Sequence, residues 1–124
     1  MAKKILVVDD EPDVVTYLTT VLKDAGYETL EASNGEEAME KILKDRPDLI
    51  TLDITMPEMT GVKTYRTLKE DANLCTIPVI IITGVTPEFK QFISSRTQVP
   101  PPEGYLEKPV KPAELMDEVR RLLG

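Results

Sequence analysis

Short apolar runs alternate with helix-periodic segments along this whole chain, and that alternation limits its fold more than any other feature. Residues 4–8 form a first strand-like run. Pro12 then suits a first helical turn, with Asp10 or Glu11 near the cap. Val14, Val15, Leu18, Val21 and Leu22 recur at helical spacing, and Gly26 stands where a left-handed C-terminal cap belongs. Residues 27–32 read as a second strand. Asn34 with Glu37 three positions on resembles a capping box for a second helix, with Ala38, Ile42 and Leu43 on its inner face and Pro47 stopping it. Residues 48–52 read as a third, doubly buried strand, and 61–71 as a helix with Val62, Tyr65 and Leu68 on one side. The β-branched run 77–82 is the fourth strand. Thr86-Pro87 opens a fourth helix carrying Phe89, Phe92 and Ile93. A polar, proline-containing loop covers 94–103, and 104–107 form a weak fifth strand. Pro112 opens a last helix with Leu115, Val119 and Leu122 facing inward. Five such βα units imply one α/β domain, a parallel sheet covered by helices on both faces.

The ends of the strand-like runs carry the chemistry. The first run ends in Asp9-Asp10, the third in Asp53, the fourth in Thr83, and the fifth in Lys108. The carboxyl ends of parallel strands lie along one sheet edge, where ligand sites form. Three carboxylates, a hydroxyl and an ammonium therefore gather in one cleft. Taken singly, each has a plainer reading: an acidic pair as a helix cap, Thr83 as a strand end, Lys108-Pro109 as a turn. Their joint placement is what the plainer readings leave unexplained.

Composition narrows the function. The 124 residues suffice for one domain with a real core. With 15 basic and 22 acidic residues the net charge is −7, which argues against direct nucleic-acid binding. No apolar run reaches a membrane span, and the four apolar residues after Lys3-Lys4 are too few for a signal peptide. Cys75 is alone, so no internal disulfide forms, and a cytoplasmic location is expected. The absence of histidine excludes Ser-His-Asp and Cys-His catalysis and histidine-bound zinc. No Walker A loop, G-x-G-x-x-G or C-x-x-C occurs.

Two carboxylates about 4 Å apart repel by roughly 4 kcal/mol at an effective dielectric near 20. Asp9, Asp10 and Asp53 together thus call for a cation or a raised pKa. An oxygen-only ligand set suits Mg2+. A carboxylate beside such a metal can be a nucleophile toward phosphorus. Lys108 would add a second positive charge, Thr83 a hydroxyl donor, and Gly84 close backbone approach to a phosphoryl group. The residues point to a metal-assisted aspartyl-phosphate site.

Val8-Asp9-Asp10-Glu11-Pro12, Asp53-x-x-Met56-Pro57-x-x-x-Gly61, Thr83 and Tyr105-x-x-Lys108-Pro109 together resemble the receiver domain of two-component response regulators, the CheY-like family. The resemblance covers the whole chain. It implies a flavodoxin-like (βα)5 doubly wound three-layer sandwich with strand order 2-1-3-4-5. Residues 1–124 would be one receiver domain with no output domain. It implies that Asp53 accepts a phosphoryl group from a phosphohistidine on a sensor histidine kinase or a histidine phosphotransfer protein. Asp10, Asp53 and the Thr55 carbonyl would hold Mg2+, with Asp9 acting mainly through water. Thr83 and Lys108 would bind phosphoryl oxygens, the Lys108-Pro109 bond would be cis, and Met56-Pro57 and Gly61 would shape the loop after Asp53. Thr83 and Tyr105 would form a switch that remodels the face of the fourth helix, fifth strand and last helix toward a downstream protein. Such a chain is a binding switch whose only catalysis is its own phosphoryl acceptance and loss, and it works as a monomer or a phosphorylation-dependent dimer.

The sequence departs from the family pattern in three places. Gly84 stands where alanine is usual. The 25 positions from Thr83 to Lys108 are a few more than usual, with the excess around 94–103. Thr55 and Val85, at positions that tune phosphoryl lifetime, offer no carboxylate or amide to orient water, so slow self-dephosphorylation is expected. Other readings stay open at this point. A haloacid-dehalogenase-type Mg2+-dependent phosphatase uses similar groups, but Thr55 replaces its acid/base aspartate. A flavin or nucleotide binder needs a phosphate loop after the first strand, where Asp9-Asp10 would repel the phosphate. A receiver-like module could also bind partners without phosphorylation.

Overall fold

The computed structural model describes residues 2–56, 60–84 and 102–124. Its five strands are β1 (Lys4–Val8), β2 (Glu28–Ala32), β3 (Leu49–Asp53), β4 (Val79–Thr83) and β5 (Gly104–Glu107). The helices among the described residues are α1 (Pro12–Asp24), α2 (Gly35–Lys44), α3 (Thr60–Glu70) and α4 (Pro112–Leu123). The helix expected at 86–93 and most of the 94–103 loop lie outside the described residues. All strands pair in parallel, in the order β2-β1-β3-β4-β5 expected for the doubly wound fold.

Strand pleating separates two cores. Leu6, Val8, Ile50, Leu52 and Ile81 pack with Ala38 and Ile42 of α2 and Tyr65 and Leu68 of α3. Ile5, Val7, Leu49, Ile80 and Ile82 pack with Val15, Leu18 and Leu22 of α1 and Leu115, Met116 and Val119 of α4. Every residue of β3 and β4 is buried, as central parallel strands require. The two middle strands are thereby fixed from both sides, and their carboxyl ends are placed firmly. Among the described residues no helix is long and apolar enough to cross a membrane.

The helix ends follow local chemistry. Gly26, at φ 95°, closes α1: its N–H donates to the Lys23 carbonyl (3.0 Å), and the Tyr27 N–H to that of Leu22 (3.1 Å). The Asn34 side chain accepts from the Glu37 N–H at 2.8 Å, as a cap should. Glu37 reaches back to the Ser33 N–H (3.2 Å), one residue earlier than in a standard capping box.

Several expectations need correction. Leu43 is 73% exposed, not on the inner face of α2. The buried stripe runs through Gly35, Ala38 and Ile42, and position 43 lies about 100° from position 42 around the helix. Pro47 does not itself stop α2, which ends at Lys44 with Asp45 as its cap. The fourth strand begins at Val79 rather than 77, because Ile77 closes a turn on Leu74 (3.1 Å) and Pro78 has no N–H to give the ladder. The third strand runs one residue further than expected, so Asp53 is its last residue.

Candidate functional site

Three strand ends set the site. Asp53 pairs with Ile82, and the Ile54 N–H donates to the Ile82 carbonyl at 3.2 Å, so β3 and β4 are still in register at the Asp53 carboxylate. Asp9 follows β1 and prolongs its ladder, its N–H donating to the Ala32 carbonyl at 3.1 Å. Lys108 follows β5, its N–H donating to the Thr83 carbonyl at 2.8 Å, and the Lys108-Pro109 bond is cis. Sheet register alone thus brings together residues 44 and 55 positions apart in the chain.

The Asp53 carboxylate is buried, and its two oxygens differ. Oδ1 accepts from the Thr55 N–H (2.8 Å) and the Thr55 hydroxyl (2.6 Å). Oδ2 accepts from Lys108 Nζ, at 3.2 Å. The same ammonium lies 3.1 Å from Asp9 Oδ2 and 3.2 Å from Glu11 Oε1. Asp9 is also buried. Its Oδ1 accepts from the Glu11 N–H at 2.9 Å, while Oδ2 faces Lys108 without a well-directed hydrogen bond. Asp10 is exposed at the rim.

Carboxylate oxygens of Asp9, Asp10, Glu11 and Asp53 all lie within 4.8 Å of one another. Three of these acids, Asp9, Glu11 and Asp53, share the Lys108 ammonium. Burial, helped by the Asp53 charge, pushes Asp9 up to about 6, against the opposing pull of the Glu11 N–H and Lys108. Burial alone would lower Lys108, but the Asp9 carboxylate 3.1 Å away and the charge of Asp53 hold it above the usual lysine range. A buried carboxylate oxygen with no directed hydrogen bond, inside an oxygen-only cluster, fits a hard divalent cation such as Mg2+.

Thr83 ends β4 fully buried, and its backbone anchors Lys108. Gly84 is exposed beside Lys108; a Cβ there would meet the Lys108 side chain at 3.8 Å, an ordinary contact. Gly61 has no such room. A Cβ would collide with the backbone of Asp53 and Ile54, 2.5 Å from the Ile54 Cα, so the first turn of α3 can lie against the end of β3 only because residue 61 has no side chain. Met56 is buried against the same core, and Pro57 and Val85 lie outside the described residues. Tyr105, paired with Ile81, is half-buried against the α2–α3 core; burial and the Glu107 charge raise its hydroxyl pKa.

Glu11 is the residue that sequence reasoning missed. It was expected only as a possible helix cap. It does occupy the N-cap position of α1, but its carboxylate makes no cap bond and turns to Lys108. Its adjacency to Asp9-Asp10 was the available signal. Cavities of about 260 Å3 beside Asp9 and Asp10, and about 540 Å3 beside Lys108 and Gly84, open the cleft on two sides.

Residues 5–120 match the response regulator receiver domain. Over 121 residues the chain is 33% identical to protein PilH of Pseudomonas aeruginosa, covering 98% of each chain. It is 35% identical over 123 residues to PhoP of Bacillus subtilis, an alkaline phosphatase synthesis transcriptional regulatory protein. That match takes in 99% of this chain and 49% of PhoP, so the chain spans about half the length of this longer relative. The structure of chemotaxis protein CheY4 of Vibrio cholerae superposes with a TM-score of 0.86 at 33% identity, covering 99% of this chain and 100% of CheY4. The receiver domain of a signal transduction histidine kinase from Syntrophus aciditrophicus gives 0.88 at 37% identity, covering 98% of this chain and 90% of that one. With its strand order and the acidic cleft at the strand ends, the chain belongs to the response regulator receiver domains of two-component signalling.

Proposed function

We propose that Asp53 is the phosphoryl acceptor and that Oδ2 is its nucleophilic atom. The asymmetry of the carboxylate carries this reading. Two donors from Thr55 hold Oδ1 and so fix the plane of the group. Oδ2 is left facing the ammonium that can later bind a phosphoryl oxygen. The donor is a phosphohistidine on a histidine kinase or phosphotransfer protein. An Oδ2 lone pair forms the O–P bond, the P–N bond breaks, and its electron pair stays on the imidazole nitrogen. Asp9, Asp10, Asp53 and the Thr55 carbonyl would hold Mg2+, which when bound neutralises phosphoryl oxygens. Lys108 and Thr83 bind the remaining oxygens, and the Gly84 backbone lets the group come close.

The buried position of Thr83 and the half-buried position of Tyr105 on the adjacent strand support a switch between β4 and β5. Receiver domains act between histidine kinases and downstream targets, and the net charge of −7 favours a protein target contacted directly over nucleic acid. The same reading puts the chain in the cytoplasm. Phosphoramidate, a small P–N donor, tests it by intact mass. One Mg2+-dependent phosphoryl addition, absent in Asp53→Asn, is expected. Equal addition to wild type and Asp53→Asn would remove Asp53 from the role.

A further inference from the structure

The far end of the fifth strand holds a second charged cluster that the phosphoryl chemistry does not use. Lys69, at the end of α3, has its side chain only 2% exposed. Its ammonium pairs with Glu103 Oε1, donates to the Cys75 carbonyl at 3.4 Å, and lies 5.9 Å from the centre of the Tyr65 ring. The other Glu103 oxygen, Oε2, accepts from the Val79 N–H at 2.9 Å, at the first residue of β4. The Glu103 carbonyl accepts from Arg121 Nη2 of α4 at 2.6 Å. One residue is therefore tied to α3, β4 and α4 immediately before β5 begins.

β5 needs such a tie. Among the described residues it is a four-residue edge strand paired with β4 alone, and of its residues Gly104 and Leu106 are buried. Gly104 offers no side chain to hold a register, so the packing of this short strand falls largely to Leu106 and the half-buried Tyr105. Each residue of slip moves the strand by about 3.3 Å. Lys108 lies directly after β5, and its reach to Asp53 depends on where the strand stops.

We propose that Glu103, clamped by Lys69, is a positioning residue that holds β5 in register and so sets Lys108 and Tyr105 for phosphoryl binding and switching. This rests on the reading of Asp53 and Lys108 given above. The clamp works from the opposite end of the sheet, touching no reacting atom. Its two carboxylate oxygens fix the strand against both the ladder and the helix layer.

The test uses Glu103→Ala and the paired variant Lys69→Met/Glu103→Met. Three readouts are compared: thermal stability, hydrogen exchange of the Leu106 and Lys108 amides, and the rate of phosphorylation by phosphoramidate. Glu103→Ala strands a buried ammonium and should melt lower, whereas the paired variant removes both charges and should recover most of the melting temperature. Both should nonetheless exchange the Lys108 amide at least about ten-fold faster and accept phosphoryl groups about 10- to 100-fold more slowly, the scale expected of small misplacements. A paired variant with wild-type exchange and wild-type rate overturns the proposal, because the clamp then adds stability alone. Faster exchange in the variants, with wild type itself taking no phosphoryl group, would instead reject the Asp53 reading and leave the clamp standing.

Discussion

Asp9 holds its proton longer than an ordinary aspartate because it is buried next to Asp53, and that has a measurable sign. Its folded-state pKa of about 6 lies above the unfolded value of 3.8. Between these values the folded chain binds more protons than the unfolded one. In metal-free buffer, stability should therefore fall as pH rises from about 4 to about 6, by on the order of 2 kcal/mol. Urea titrations across that window should show the slope in wild type and lose most of it in Asp9→Asn. A cation needs the ionised carboxylate, so Mg2+ affinity should climb over the same pH range. Two glycines give a second contrast. Gly61→Ala drives a methyl group into the backbone at Asp53 and should cost about 2 kcal/mol or more. Gly84→Ala meets only ordinary contacts and should stabilise by about 0.4–1 kcal/mol. Equal melting temperatures for the two variants would contradict the packing described at Gly61.

Elements whose ends are set by local chemistry could be read from the sequence; those set by neighbours could not. Gly26 and Asn34 mark the end of α1 and the start of α2 through bonds made within a few residues. Asn34→Ala should cost about 1 kcal/mol in chemical denaturation. Leu43 went the other way. Its hydrophobicity suggested the core, yet the helical angle carries it to solvent, so Leu43→Gln should stay within about 0.5 kcal/mol of wild type. A loss above about 2 kcal/mol would mean that Leu43 is covered. Strand limits shifted by one or two residues wherever the ladder decided them. Asp53 belongs to β3 because Ile82 still pairs with it, a fact no local pattern carries.

At the scale of the whole molecule, the parallel sheet converts a sequence regularity into a site. Polar residues at successive strand ends were visible as a pattern, and the order β2-β1-β3-β4-β5 puts β1, β3 and β4 side by side with β5 reaching across. That made Asp9, Asp53, Thr83 and Lys108 legible before any coordinates. Glu11 was less so: its adjacency to the acidic pair hinted at the cluster, but the turn of its carboxylate toward Lys108 depends on where β5 ends. The Glu103 clamp was also hidden, because its partners come from α3, β4 and α4. The central claim is that this arrangement makes one carboxylate, Asp53, an acceptor among four neighbouring acids. The most direct measurement is borohydride trapping after Mg2+-dependent phosphorylation, with peptide mapping of the reduced residue. Homoserine at position 53 alone is the expected product. Reduction at Asp9, Asp10 or Glu11 with Asp53 untouched would contradict it.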